Sequence, residues 1–201
     1  MAETSLDTNK LALAASESAD VLAALIETLT GENRRQRQRA ATAVSLLAAD
    51  RPEVLQPYIP DLASVLEVPE SQTRWEVLEA LTKLVSIDAR ACEKCLLGSE
   101  ASLFDEDSGP ARLAAMKFLC KIGATTENRS EKVWPLIDEA IQCYHGDLEF
   151  QDMLIAVIEY SEGKLSAEVK AQLGARMSFD AKNAKGALGK RAKLIVENVT
   201  A

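Results

Sequence analysis

Residues 74–84 read RWEVLEALTKL, an arginine followed by apolar side chains three, four, six, seven and ten positions later. Spacings of three and four place these side chains on one face of an α-helix. The same template follows Arg37 and Arg112, and a fourth copy begins at Gln151. Successive anchors are 37, 38 and 39 residues apart. A period this regular predicts an internal helical repeat.

A second apolar pattern interleaves with the first. One copy begins at Tyr58 and another begins at Val133, each with proline two positions later. Their separation of 75 residues equals the spacing between Arg37 and Arg112. Two patterns that share one period predict that each unit is a helix, a turn and a second helix. We place five units at about residues 20–49, 51–86, 88–124, 127–163 and 166–199.

The composition also favours an all-α chain. Aromatic residues make up only 4% of the sequence, and six prolines and nine glycines are few for a chain of β-turns. Each helix pair has an apolar stripe that it buries only by stacking on its neighbours. We therefore predict an α-solenoid superhelix of about five antiparallel helix pairs, forming a single domain over residues 18–201. Residues 1–17 are small and polar, and we expect a flexible N-terminal leader.

These units resemble HEAT repeats. The family pattern places a proline in the first helix, an aspartate at the turn and an arginine at the start of the second helix. Pro60 lies fourteen residues before Arg74, and Asp105 and Asp107 lie in the turn before Arg112. The glutamine of the fourth unit departs from the pattern, and the first two turns lack the aspartate. The resemblance implies a surface that binds another protein.

The charge and the motifs argue against several function classes. The chain has 23 lysines and arginines against 31 acidic residues, a net charge of −8 that repels phosphate backbones. No apolar stretch has the length of a signal peptide core behind a basic start, or of a membrane span, so we expect a cytosolic protein. Nucleotide-binding loops and the common hydrolase motifs are absent, so we expect neither enzymatic activity nor a cofactor.

The four cysteines raise the question of a zinc site. Cys92, Cys95, Cys143 and the single histidine, His145, are its candidate ligands. This set lacks a second close pair at the spacing of zinc fingers or ribbons. We therefore expect no metal and interpret the cysteines as small buried apolar side chains.

The candidate partner-binding residues lie on the predicted second helices. Trp75 and Leu113 follow the anchor arginines of adjacent units, and Trp75 falls far from the centre of its helix's apolar face. With Glu79 and Lys117 they would form an exposed ridge on the concave second-helix face. The anchors themselves could bind a carboxylate or phosphate, or could tie the turns together: Arg37, Arg74 and Arg112.

An alternative function is nucleic-acid binding. Two basic clusters, residues 34–39 and residues 182–193, contain no acidic side chain. The chain would then be similar to the HEAT-like DNA glycosylases for alkylated bases, whose resemblance implies a basic channel with aromatic residues and a catalytic carboxylate. The net negative charge and the scarcity of aromatic residues favour the first interpretation, a non-enzymatic protein-interaction scaffold.

Overall fold

The computed structural model describes residues 2–200, with side chains from residue 7 onward, and over this range the chain is helical without strands. The prediction of an all-α chain is confirmed. A short 3₁₀ segment, Pro52–Tyr58, precedes α4, and another, Glu93–Cys95, precedes α6. The α-helices are α1 Ala2–Glu17, α2 Ala19–Thr28, α3 Arg34–Asp50, α4 Ile59–Val65, α5 Ser71–Cys92, α6 Leu96–Leu103, α7 Gly109–Gly123, α8 Glu127–Cys143, α9 Phe150–Ser161, α10 Ala167–Asn183 and α11 Gly186–Thr200.

Capping residues start several of these helices where the sequence has short polar side chains. The side chain of Ser18 accepts a hydrogen bond from the third residue of its helix, and those of Asn33, Thr126 and Ser166 do the same. Each bond satisfies a backbone N–H that lacks an intrahelical acceptor. The pairs α2–α3, α8–α9 and α10–α11 therefore begin at positions that local chemistry defines.

Helix α5 runs across a predicted unit boundary. Its backbone leaves helical geometry at Asp88, with φ −145° and ψ 77°. The carboxylate of Asp88 accepts a hydrogen bond from the backbone N–H of Ala91 at 2.9 Å, as an N-cap residue does. The kink separates the second helix of one pair from the first helix of the next, which continues into α6.

The segment predicted as a flexible leader contains a helix, α1. Ala12 and Ala15 are buried where α1 packs against α2 and α3. Alanine has the highest helix propensity, and its small side chain allows close approach of neighbouring helices. The prediction gave too little weight to this packing. Met1 and Ala201, the ends of the predicted leader and domain, lie outside the described residues.

The chain divides into two compact units, Met1–Ala115 and Met116–Ala201, with the division inside α7. The single domain predicted over residues 18–201 stays a prediction. In unit 1, α3 packs against α1, α2 and α5, around a core that includes Leu62, Leu78 and Leu81. In unit 2, α10 and α11 pack together, α11 packs on α9, and Tyr160 is the largest fully buried side chain.

None of the helices in the described range combines the length and the apolar character needed to cross a membrane.

Candidate protein-binding face

Arg37 joins the turn of the first pair to the start of α5. Its Nη1 donates to the carbonyl oxygens of Gly31 and Glu32 at 2.6 and 2.9 Å, and its Nε donates to Oε2 of Glu70 at 3.2 Å. The guanidinium also forms an ion pair with Glu70, and the two side chains are only 13% and 7% exposed. The hydrogen bond from Arg37 holds the pKa of Glu70 below its usual value. This arrangement ties two turns together.

Arg74 and Arg112 meet at one turn residue. Arg74 forms an ion pair with the carboxylate of Asp105, and Nη1 of Arg112 donates to the carbonyl oxygen of Asp105 at 2.9 Å. Asp105 therefore binds arginines from two successive repeats, both within unit 1. These contacts agree with the turn-tying role of the anchors, and ligand binding by them stays a prediction.

The fourth and fifth pairs use the same position with different chemistry. Gln151 accepts a hydrogen bond from Arg191 of α11, which lies 40 residues further along the chain. The spacing extends the series of 37, 38 and 39, so Arg191 is the fifth anchor. The sequence pattern placed Arg191 in the basic cluster of residues 182–193. The lengthening spacing between anchors was the signal that could have identified it as an anchor.

Two hydroxyl groups of α3 donate to two carboxylates of α5. Thr42 Oγ1 donates to Glu76 Oε1 at 3.1 Å, and Ser45 Oγ donates to Glu79 Oε2 at 3.3 Å. We call these four residues the carboxylate face of unit 1. Within the described part of the chain, no lysine, arginine or histidine forms an ion pair with Glu76 or Glu79.

Burial changes the acidity of one of these carboxyl groups. Glu76 is half-buried, and its pKa is raised mainly by loss of hydration, with a smaller contribution from the neighbouring Glu79. The hydrogen bond from Thr42 acts in the opposite direction without cancelling the rise. The face therefore has negative charge that is partly desolvated and that forms no ion pair with a described residue.

The structure gives the exposure of each residue of the predicted ridge, whose role in binding stays a prediction. Trp75 and Leu113 are half-buried, so they are less exposed than the helical-wheel argument predicted. They follow the two arginines that share Asp105, which places both at the start of their helices near one turn. Glu79 is exposed and lies one helical turn after Trp75. Lys117 is exposed but belongs to unit 2, so we do not assign it to this face.

Sequence reasoning missed Thr42, Ser45 and Glu76. The available signal was that positions two, five and eight after the anchor are polar in the first two repeats, although the template concerned only apolar positions. Their pairing across helices depends on the register between α3 and α5. A single sequence does not specify that register.

The basic cluster at residues 34–39 is partly neutralised by contacts within unit 1. Arg37 pairs with Glu70, and Arg39 forms an ion pair with Asp7 of α1. Arg34 and Arg35 are exposed. The cluster therefore has fewer available charges than its sequence indicates, which weakens the case for a phosphate-binding patch.

Three cysteines are buried thiols, as predicted: Cys92, Cys95 and Cys120. Burial raises the pKa of the Cys95 thiol to about 12. Cys143 is exposed, so the prediction was wrong at that position. Among the residues that the structure describes, no group of three or more histidine, cysteine, aspartate or glutamate side chains could hold a metal ion.

Neither a protein-family model nor a curated protein matches the chain. Solved structures do share its fold. A computationally designed armadillo repeat protein for modular peptide recognition is 17% identical with a TM-score of 0.73, and the match covers 95% of this chain and 91% of that one. A designed armadillo repeat protein in complex with the peptide (KR)4 is 15% identical, with a TM-score of 0.75 and coverages of 96% and 91%.

A natural protein shows the same architecture. The archaeal HEAT-like repeats protein from Thermococcus onnurineus NA1 is 12% identical with a TM-score of 0.55, and the match covers 97% of this chain and 92% of that one. At these identities the likeness concerns the fold alone.

Proposed function

We propose, from the premise that this chain is an α-solenoid of the HEAT and armadillo type, that it is a non-enzymatic scaffold that binds another protein. We further propose that the carboxylate face of unit 1 binds a positively charged, extended segment of that partner. The fold supports the general role, and the side chains of the face support the chemistry of the segment.

The observation that carries the proposal is the uncompensated pair of carboxylates, Glu76 and Glu79. Burying a carboxylate without a cation costs free energy, which appears here as the raised pKa of Glu76. A lysine or arginine of a partner, placed beside the two groups, would recover that energy on binding. Because Thr42 and Ser45 already hold the carboxylates in position, little additional ordering is needed.

Trp75 gives the face an aromatic surface next to its charge. Its position one turn before Glu79 would allow a cationic side chain to contact both the ring and the carboxylate. The ring is half-buried, so it loses less conformational entropy on binding than a fully exposed side chain would. Leu113, near the same turn, would extend the apolar contact.

The comparisons add independent support. One structural neighbour is a designed repeat protein in complex with a peptide of alternating lysine and arginine, (KR)4. The carboxylates of the present face weigh against nucleic acid as the ligand, because phosphate groups would meet like charge. A cytosolic location and partner contacts by Lys117 and the three anchor arginines remain predictions.

A binding titration tests the proposal. We would measure fluorescence anisotropy of labelled (KR)4 with the full chain and with an E76Q/E79Q variant. We expect the variant to bind at least about 30-fold more weakly, the scale of an interface hot spot. The matched control is E67Q/E100Q, which removes two exposed carboxylates from the same unit.

The control decides the interpretation. If E67Q/E100Q weakens binding as much as E76Q/E79Q does, the peptide responds to net charge and the carboxylate face is not its site. A W75S variant gives a second measure, and we expect a loss of about tenfold. Thermal melts of each variant show whether folding is retained.

A further inference from the structure

The last helix pair differs in charge from the rest of the chain. Residues 167–200, which form α10 and α11 with their connection, contain seven lysines and arginines and three acidic residues, a net charge of +4. The remaining residues contain 16 basic and 28 acidic side chains, a net charge of −12. A basic pair at the end of an acidic chain is a segregation that could direct binding.

A groove runs between α8 and α10 of unit 2, with a volume of about 520 Å³. Trp134 of α8 and Phe179 of α10 line it. Trp134 is only 6% exposed, whereas Phe179 is 72% exposed, although phenylalanine is among the residues most often buried. The exposed ring gives the groove an apolar side that is open to a ligand.

The wall of the groove is fixed by an ion pair. Arg176 Nε and Nη2 donate to the two carboxylate oxygens of Asp138 at 2.6 and 2.9 Å. This two-point contact joins α8 and α10 across the groove, and it neutralises both charges locally. The lining of the groove therefore combines two aromatic rings with an ion pair whose charges cancel.

Two exposed lysines follow Phe179 in the sequence. Lys182 lies one helical turn after Phe179, and Lys185 follows in the connection to α11. Both are exposed, and no carboxylate of the described residues forms an ion pair with either. The nearest acidic residue in sequence, Asp180, accepts from His145 at 3.2 Å instead.

We propose that this groove binds an acidic segment of a protein. An apolar side chain of the segment lies against Phe179 and Trp134, and its carboxylates then follow toward Lys182 and Lys185. This site is separate from the carboxylate face and has the opposite charge, so the inference does not depend on the function proposed for that face.

An acidic peptide fits the charge distribution better than a nucleic acid or an anionic membrane does. An extended polyanion would be repelled by the net charge of −12 on the rest of the chain, whereas exposed charges farther than about 8 Å are largely screened from a short segment.

The test uses the full chain and a labelled peptide in which two leucines precede six glutamates. We expect F179S to weaken binding at least about tenfold, and K182E/K185E to weaken it at least about 30-fold. The matched control, K121E/K164E, reverses two exposed lysines elsewhere in unit 2 and should change binding less than about threefold. E76Q/E79Q should leave this binding unchanged, which separates it from the carboxylate face.

A charge swap makes the assignment specific. A second peptide, with six lysines in place of the glutamates, should bind K182E/K185E more tightly than it binds the wild type. Thermal melts check folding, and K182A/K185A replaces the charge-reversed variant if that variant unfolds. Equal losses in K182E/K185E and K121E/K164E, or an undetectable affinity for the acidic peptide, would overturn the proposal. The proposal would also be overturned if the chain bound phosphatidylserine vesicles or single-stranded DNA more tightly than the acidic peptide, and if K182E/K185E lost that binding.

Discussion

The pair Arg37–Glu70 gives the sharpest test of how the turns are held together. Both side chains are almost completely buried, and the guanidinium also serves the carbonyl oxygens of Gly31 and Glu32. Truncating one member of a buried pair leaves an uncompensated charge and typically costs about 3–5 kcal/mol. We therefore expect E70M and R37M each to lower the free energy of unfolding by about 3 kcal/mol.

The double variant R37M/E70M should lose much less than the sum of the two single losses. Two methionines fill a similar volume without leaving a buried charge, so we expect a coupling of at least about 1.5 kcal/mol. The assay is urea unfolding followed by circular dichroism. The dependence of the free energy of unfolding on urea concentration is compared between variants to confirm that the same unit unfolds. The control pair is Arg51–Glu53, whose side chains are 49% and 57% exposed. A double-mutant cycle on this pair should show no measurable coupling free energy.

The pH dependence of the same cycle provides an independent check. The pKa of Glu70 is lowered in the folded chain relative to an ordinary value of about 4.3. A lowered folded pKa stabilises the fold above the ordinary pKa, and this contribution is lost as the pH falls through the folded value. The difference between wild type and E70M should therefore shrink below about pH 4. A coupling under about 0.5 kcal/mol, or one that does not change with pH, would refute the reasoning.

Three further predictions concern the cores of the units and the thiols. Leu81 is fully buried, so L81A should lower the free energy of unfolding by about 2–5 kcal/mol, whereas L97A, at a 78% exposed position, should change it by less than about 0.5 kcal/mol; equal melting temperatures would mean that the buried face of α5 is wrong. The hydroxyl of buried Tyr160 donates to the carbonyl oxygen of Ser130 at 3.1 Å, so Y160F should cost about 1–3 kcal/mol in urea unfolding, and no change would show that the bond contributes nothing. With a thiol reagent under native conditions, Cys143 should react first because the other three cysteines are buried; a fast phase that persists in C143S would contradict this assignment.

The repeat could be predicted because the same residue types recur at a regular spacing. The anchors Arg37, Arg74 and Arg112, with apolar residues at fixed offsets, defined second helices that the structure contains as α3, α5 and α7. Helical periodicity depends only on local geometry, so one sequence is enough to show it. The kink at Asp88 also fell at a predicted unit boundary, because an N-cap aspartate acts within its own turn.

The candidate site was less accessible to prediction. Trp75 is not among the buried residues of α5, but it is half-buried rather than exposed, which the helical-wheel argument did not predict. Glu76 was not identified at all, since its raised pKa comes from burial next to α3 rather than from any motif. Helix α1 was missed for a related reason: its buried residues are Thr8, Ala12 and Ala15, small side chains that produce only a weak apolar pattern.

The sequence by itself determined the helices, their period and the total charge, because spacing, capping residues and ionisable groups act locally or are simply counted. Only the tertiary structure decided which side chains are paired and which stay exposed. Arg37 binds Glu70, which lies 33 residues further along the chain, and Thr42 donates a hydrogen bond to Glu76, 34 residues further along. Lys182 and Phe179 remain exposed. Such pairings depend on the register and distance between packed helices, which follow from how whole surfaces fit together. The local pattern of either helix does not contain that information.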